Sequence, residues 1–183
     1  VIYGAQHMVD EQGEIRSQFY PAAFDILNHL ECLLVPPFGS SFFRSSMVGD
    51  ALIPSIDLLY CADFELWLKL HHLPIANTQK ILTRTRISKN SITCRPESYE
   101  QMCKDKISAI GRFFGKFPND PFFISLRRRC EAGVYLWAAE SVRFSFPAEG
   151  NELFFLNFIK SGLELHPESP RALFLMQKAG IQI

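Results

Sequence analysis

Ile56-Asp57-Leu58-Leu59-Tyr60-Cys61-Ala62-Asp63-Phe64-Glu65-Leu66-Trp67-Leu68-Lys69-Leu70 is the stretch whose reading decides the fold. Asp63 stands where a loop meets a strongly apolar helix. Aspartate is a favoured N-cap, because its carboxylate accepts from a free backbone N–H of the first turn. Phe64, Trp67 and Leu68 then recur at i, i+3 and i+4, one face of a helix. His71-His72 closes this helix, and Pro74 forbids its continuation. Two adjacent histidines point to different faces, so they read as partners of the helix C-terminus rather than as a metal pair.

Working outward, the period changes on both sides. Ile81, Thr83, Thr85 and Ile87 alternate with Leu82, Arg84 and Arg86, a β pattern rich in branched residues. Val1 to Val9 also reads as a strand, and Asp10-Glu11-Gln12-Gly13 is turn chemistry. Between them, Phe19 to Leu34 reads as mixed with a helical face of Ala22, Ile26 and His29/Leu30, Pro21 near its first turn and Pro36-Pro37 as its stop. His29 reads as packed rather than as a ligand. Ser46 to Tyr60 reads as a short helix and loop, in which Asp50 and Asp57 are surface or capping residues. Strands and helices in this alternation make the first half α/β.

From Ser98 onward the chain is helical. Ser98 to Gly115, Phe122 to Phe146, Asn151 to Leu165 and a last helix opened by Ser169-Pro170 are separated by Pro- and Gly-containing breaks. Trp137 to Pro167 has the small-residue rhythm of a tetratricopeptide-like helix pair, with a single unit visible; a plain helical tail fits as well. Arg127-Arg128-Arg129 reads as a solvated face or a helix-partner contact. The expected division is therefore residues 1–97 and residues 98–183.

Composition narrows the classes. With 19 basic and 19 acidic residues the net charge is zero, which argues against an electrostatic nucleic-acid partner. Hydrophobic residues at 48% support a packed core over disorder. Seventeen Phe point to aromatic packing between helices or to a docking surface. The five cysteines form no C-x-x-C pair, so they read as reduced buried thiols rather than zinc ligands. No apolar run reaches the roughly 18 residues of a membrane span. The chain opens on a strand-like Val-Ile-Tyr without Met, and reads as a piece of a longer protein.

Several segments together resemble the family 2 glycosyltransferases. Asp63-Phe64-Glu65-Leu66-Trp67-Leu68-Lys69 resembles that family's ED-x-x-L-W-L-R segment, with Ala62 where the family has Glu. Tyr3, Gly4, Asp10 and Gly13 match a strand and turn that follow the metal-binding D-x-D motif. Gly39 to Arg44 resembles a small-small-F-x-R segment beside sugar and acceptor. Arg86 and Ser91 match a y-R-x-H-x-x-S element in which Ser88 replaces the family His.

The resemblance covers about half the chain, Val1 to Thr93. It implies the acceptor-side half of a GT-A nucleotide-sugar transferase fold, followed by the α-helical region. It also implies Asp63 as general base and Arg44, Trp67, Lys69, Arg86, Ser88 and Ser91 as substrate-binding residues. A divalent metal, Mn²⁺ or Mg²⁺, is implied for the full-length enzyme. Its D-x-D ligands are expected upstream of Val1, and no metal ligand is assigned within this chain. Lys89 could replace the charge lost with the His.

The chemistry of the residues is compatible with this. Asp63 and Glu65 lie about 200° apart on a helix, so they cannot flank one glycosidic bond as a paired-carboxylate hydrolase requires. No G-x-S-x-G, H-E-x-x-H or phosphate-binding loop motif occurs. Inverting sugar transfer needs only one fixed base from this half, within about 3 Å of an acceptor hydroxyl. Two functions are therefore expected. One is a nucleotide-sugar-dependent glycosyltransferase acting on a glycan, lipid-linked or protein acceptor, with the piece inactive alone. The other is a non-catalytic interaction module whose helical tail binds a protein partner or a second copy. A cytoplasmic protein, free or peripheral to a membrane, is the expected setting.

Overall fold

The structure is a computed structural model and describes residues 1–88, 91–145 and 151–181. A mixed sheet is centred on β1 (Ile2–Val9). β4 (Ala76–Arg86) runs parallel along one edge of β1, while β2 (Ile15–Phe19) and β3 (Ser41–Phe42) pair antiparallel with its two ends. The β1–β2 turn forms as its residues require. Asp10 Oδ1 accepts from the N–H groups of Gln12 (3.0 Å) and Glu14 (2.9 Å). Gly13 takes the left-handed φ of +88° that glycine tolerates best. β4 slips its register beside Gly4 to Gln6, where Leu82 lies over the space a side chain on Gly4 would fill.

Among the described residues seven α-helices follow or interrupt the sheet. They are α1 (Ile26–Leu30), α2 (Ser45–Val48), α3 (Ala62–Leu70), α4 (Ser98–Phe114), α5 (Pro121–Glu140), α6 (Asn151–Leu165) and α7 (Pro170–Lys178). A π-helical turn, Ser141–Ser145, continues α5; Phe146, expected at the end of that helix, lies outside the described residues, as does Lys89. Asp120 and Ser169 cap α5 and α7, each followed by a proline at the first helical position.

Within the mixed segment Phe19 to Leu34, the helix is shorter than the face of Ala22, Ile26 and His29/Leu30 implies, and Ala22 stands outside it. Phe19 ends β2, and the segment after it is outside helix and strand, its carbonyls taking side-chain donors from the sheet. Tyr3 Oη donates to Ala22 O (2.6 Å), and Asn77 Nδ2 donates to Pro21 O (2.9 Å). Only after Asp25, which caps Asn28 N–H at 2.8 Å, does α1 begin.

The main core lies among the helices and includes Leu30, Phe64 and Leu68 from the first half with Ile110, Val134 and Phe155 from the second. A smaller cluster holds Val48, Leu66 and Leu70. Trp67 is fully buried on a third side of α3, against the rings of Tyr3, Phe24 and Phe43 at centroid distances of 5.7–5.9 Å. α3 is thus enclosed by sheet, loop and helices together. The phenylalanines pack as a chain between α4 and α5, with Phe113–Phe117 at 5.3 Å and Phe117–Phe123 at 4.9 Å. Among the described residues no helix is long and apolar enough to cross a membrane.

Candidate functional site

The start of α3 gathers a cluster of polar groups. Cys61 occupies the N-cap and contributes no side-chain cap. The capping carboxylate comes instead from α4: Asp105 Oδ2 accepts from Tyr60 N–H (2.6 Å) and Cys61 N–H (3.3 Å) and is held by Gln101 (2.8 Å). Asp63, expected at the cap, therefore stands inside the first turn. Its Oδ1 accepts from Phe64 N–H at 2.8 Å. Among the described residues no basic group lies within ion-pair distance of it. It is half-buried on the wall of a pocket of about 160 Å³ lined by Phe38, Leu52, Pro54, Ala62 and Leu66, with Glu65 and Lys69.

Glu65 is the fixed point beneath that pocket. Its carboxylate accepts from Ser55 N–H (3.0 Å) and Ser55 Oγ (2.6 Å), and pairs with Lys69 Nζ (2.9 Å) and Arg112 Nη2 (2.9 Å). Burial alone would raise this carboxyl. The Ser55 and Lys69 hydrogen bonds and the Lys69 charge outweigh it and hold Glu65 below the usual carboxylate range. Arg112 reaches on to Asp57 at 2.9 Å, so the 55–57 loop, α3 and α4 share one charged junction.

The residues implied as substrate-binding fall into separate places. Lys69 shares the pocket with Asp63, but its ammonium is taken up by Glu65 and by Ile53 O at 2.8 Å. Trp67 has no exposed surface, and among the described residues its indole N–H has no partner. Arg44 is exposed on the wall of a different pocket, of about 560 Å³, among Phe42, Phe43, Met47 and the start of β4. Arg86 is exposed at the far end of β4. Just beyond it Ser88 Oγ donates to Glu11 (3.0 Å), and Ser91 Oγ accepts from Ser88 N–H (3.4 Å). Asp63 and Lys69 are brought together; Arg44 and the Arg86–Ser88–Ser91 group are each elsewhere.

Two site-building residues, Asp105 and Arg112, were not marked out by the sequence. A signal existed for Asp105: it interrupts the buried stripe of Met102, Ala109 and Ile110 on α4, and a carboxylate on an apolar face implies a buried donor. His29 is fully buried between Leu34 O (3.2 Å) and Phe64 O (3.0 Å), as a packed rather than a ligating histidine. His71 Nδ1 meets Leu68 O at 2.8 Å, a partner of the helix end. Among the described residues no three His, Cys, Asp or Glu side chains stand close enough together to hold a metal ion.

Compared with protein-family models, with curated proteins and with solved structures, the chain matches none of them.

Proposed function

We propose that the chain is the acceptor-side half of an inverting glycosyltransferase and that Asp63 is its general base. The observation that carries this is the carboxylate itself. It sits in the first turn of an enclosed helix, opens onto a pocket, and has no cationic partner among the described residues. The neighbouring acid Glu65, by contrast, is fully committed to four groups. A base must be fixed yet free to accept, and Asp63 alone at this helix start meets both conditions.

In this reading the acceptor hydroxyl approaches Asp63 in the pocket and gives up its proton as its oxygen attacks the anomeric carbon. The bond to the nucleoside diphosphate breaks on the opposite face. The charged junction of Glu65, Lys69 and Arg112 holds α3 at one position relative to α4. The divalent metal that the family resemblance implies finds no ligand cluster among the described residues, and no step here runs through it.

The test is transfer by the full-length protein from UDP-, GDP- and dTDP-sugars, with and without Mn²⁺. Asp63→Asn is expected to lower turnover by about 10²–10⁴-fold while donor binding persists. Undiminished transfer by Asp63→Asn would overturn the base assignment. A folded protein that neither binds nor turns over any donor would favour the second reading, an interaction module. That reading draws on the apolar side chains left exposed on the helical half, among them Phe122 at 67% and Phe174 at 58%.

A further inference from the structure

Lys106 is the one lysine of α4 drawn into the core, at 4% exposure. Its Nζ lies 4.4 Å from the centroid of the Phe64 ring and 4.0 Å from that of Trp137. Among the described residues no carboxylate pairs with it, and its polar contact is the Cys32 sulfur at 3.8 Å. Cys32 is itself 4% exposed and takes a left-handed φ of +54°, a rare backbone for a residue other than glycine. This side chain borders a cavity of about 590 Å³ that it shares with Leu34, Trp137, Arg171 and Phe174. A buried amine is therefore aimed at a buried thiol that a small oxidant can reach from the surface.

We propose that Cys32 and Lys106 are a peroxide-responsive pair that closes into a covalent sulfur–nitrogen crosslink. Starting from the thiolate–ammonium form, sulfur attacks hydrogen peroxide and an S–O bond forms as the O–O bond breaks. The departing hydroxide takes a proton from Lys106 and leaves as water. The freed amine then attacks the sulfenic sulfur, forming the S–N bond as the S–O bond breaks. The second hydroxide takes a nitrogen proton and leaves as a second water. One peroxide is reduced to two waters, and the pair loses two electrons. Sulfenic acids are known to condense with nitrogen in this way, and excess thiol reverses it.

Burial raises the Cys32 thiol, opposed by the charges of Lys106 and Arg171 and by the Lys106 hydrogen bond. Burial likewise pushes Cys61 up, to about 12, and raises Cys103. Neither competing thiol has an amine partner among the described residues. The crosslink would join positions 74 residues apart, tying the loop after α1 to α4 and restricting the unfolded chain.

The experiment treats the purified chain with hydrogen peroxide and follows intact mass, peptide maps and thermal unfolding, before and after dithiothreitol. The expected product is lighter by two hydrogens. Its Cys32 and Lys106 peptides are joined, dithiothreitol separates them, and the thermal midpoint rises on oxidation and returns on reduction. Cys32→Ser is expected to abolish the product. A two-hydrogen loss mapped to a disulfide of Cys32 with Cys61 or Cys103 would overturn the proposal. So would sulfinic Cys32 with Lys106 unmodified, or Cys32 left unreacted. The wild-type peptide map decides the question even where a variant fails to fold.

Discussion

His29 faces two carbonyl oxygens with a ring that, when neutral, has one N–H to give. An imidazolium would satisfy both. Burial works against that charge, as does nearby Lys106, and the histidine is pushed from its ordinary 6.5 to about 4 although the Phe64 carbonyl favours the proton. The shorter contact, to Phe64 O, assigns the N–H to Nε2. Below pH 6.5 the unfolded chain takes up a proton that the folded one refuses, so stability falls until about pH 4, by on the order of 3 kcal/mol. Glu65 acts in the same direction further down. Its lowered carboxyl contributes stability above the ordinary value of 4.5, lost as pH falls through its folded value. Urea midpoints measured from pH 7 to pH 4 are expected to drop in wild type and to flatten in His29→Gln. An unchanged slope in that variant would refute the assignment. The packed role of His29 was legible in its place on an apolar face, but the depth of its burial was not, because Phe64 and Leu34 meet it only through the tertiary fold.

At the scale of elements, α3 begins where it does because of α4. Sequence periodicity found the helix and its apolar face, and Ser169-Pro170 and the break before Phe122 marked other helix starts correctly. It placed the cap of α3 on Asp63, since a local carboxylate is the only kind a linear reading can see. Asp105 supplies the cap from 44 residues away, on Cys61 N–H. Asp105→Ala leaves the Tyr60 and Cys61 N–H groups without their acceptor and is expected to cost roughly 1–3 kcal/mol. Asp105→Asn keeps an acceptor oxygen and should cost less; denaturant titration of both separates capping from charge. Helix contacts set a second sign. Gly133→Ala on α5 should gain about 1 kcal/mol by helix propensity. A Cβ there, however, would stand 2.5 Å from the backbone oxygen of Glu31, at the end of α1. Backbone cannot step aside as a flexible side chain can, so the variant is expected to lose roughly 1–3 kcal/mol. A stabilised Gly133→Ala would show that α1 and α5 do not approach this closely.

At the scale of the whole molecule, the interiors of the sheet side and of the helices meet on one element, α3. α3 gives Trp67 to the sheet side, Leu66 and Leu70 to the loop cluster, and Phe64 and Leu68 to the helical core. α1 enters the helical core through Leu30 as well, and Arg129 and Arg171 bind Glu31 from α5 and α7. The sequence divided cleanly at the change from alternating to helical period, but periodicity reports a residue's neighbours along the chain and says nothing of which half its buried face joins. Shared burial of this kind makes unfolding of one half expose the core of the other, so a single cooperative transition is expected. The two tryptophans allow a direct check. Trp67 reports the sheet side, and Trp137, against Tyr99 at 5.3 Å, reports the helices. In Trp137→Phe the fluorescence of Trp67 should melt at the same denaturant concentration as the far-ultraviolet circular dichroism, which the helices dominate. Separate midpoints would mean that the sheet loosens while the helices persist; the helical half would then be an independent unit that holds α3 without needing the strands.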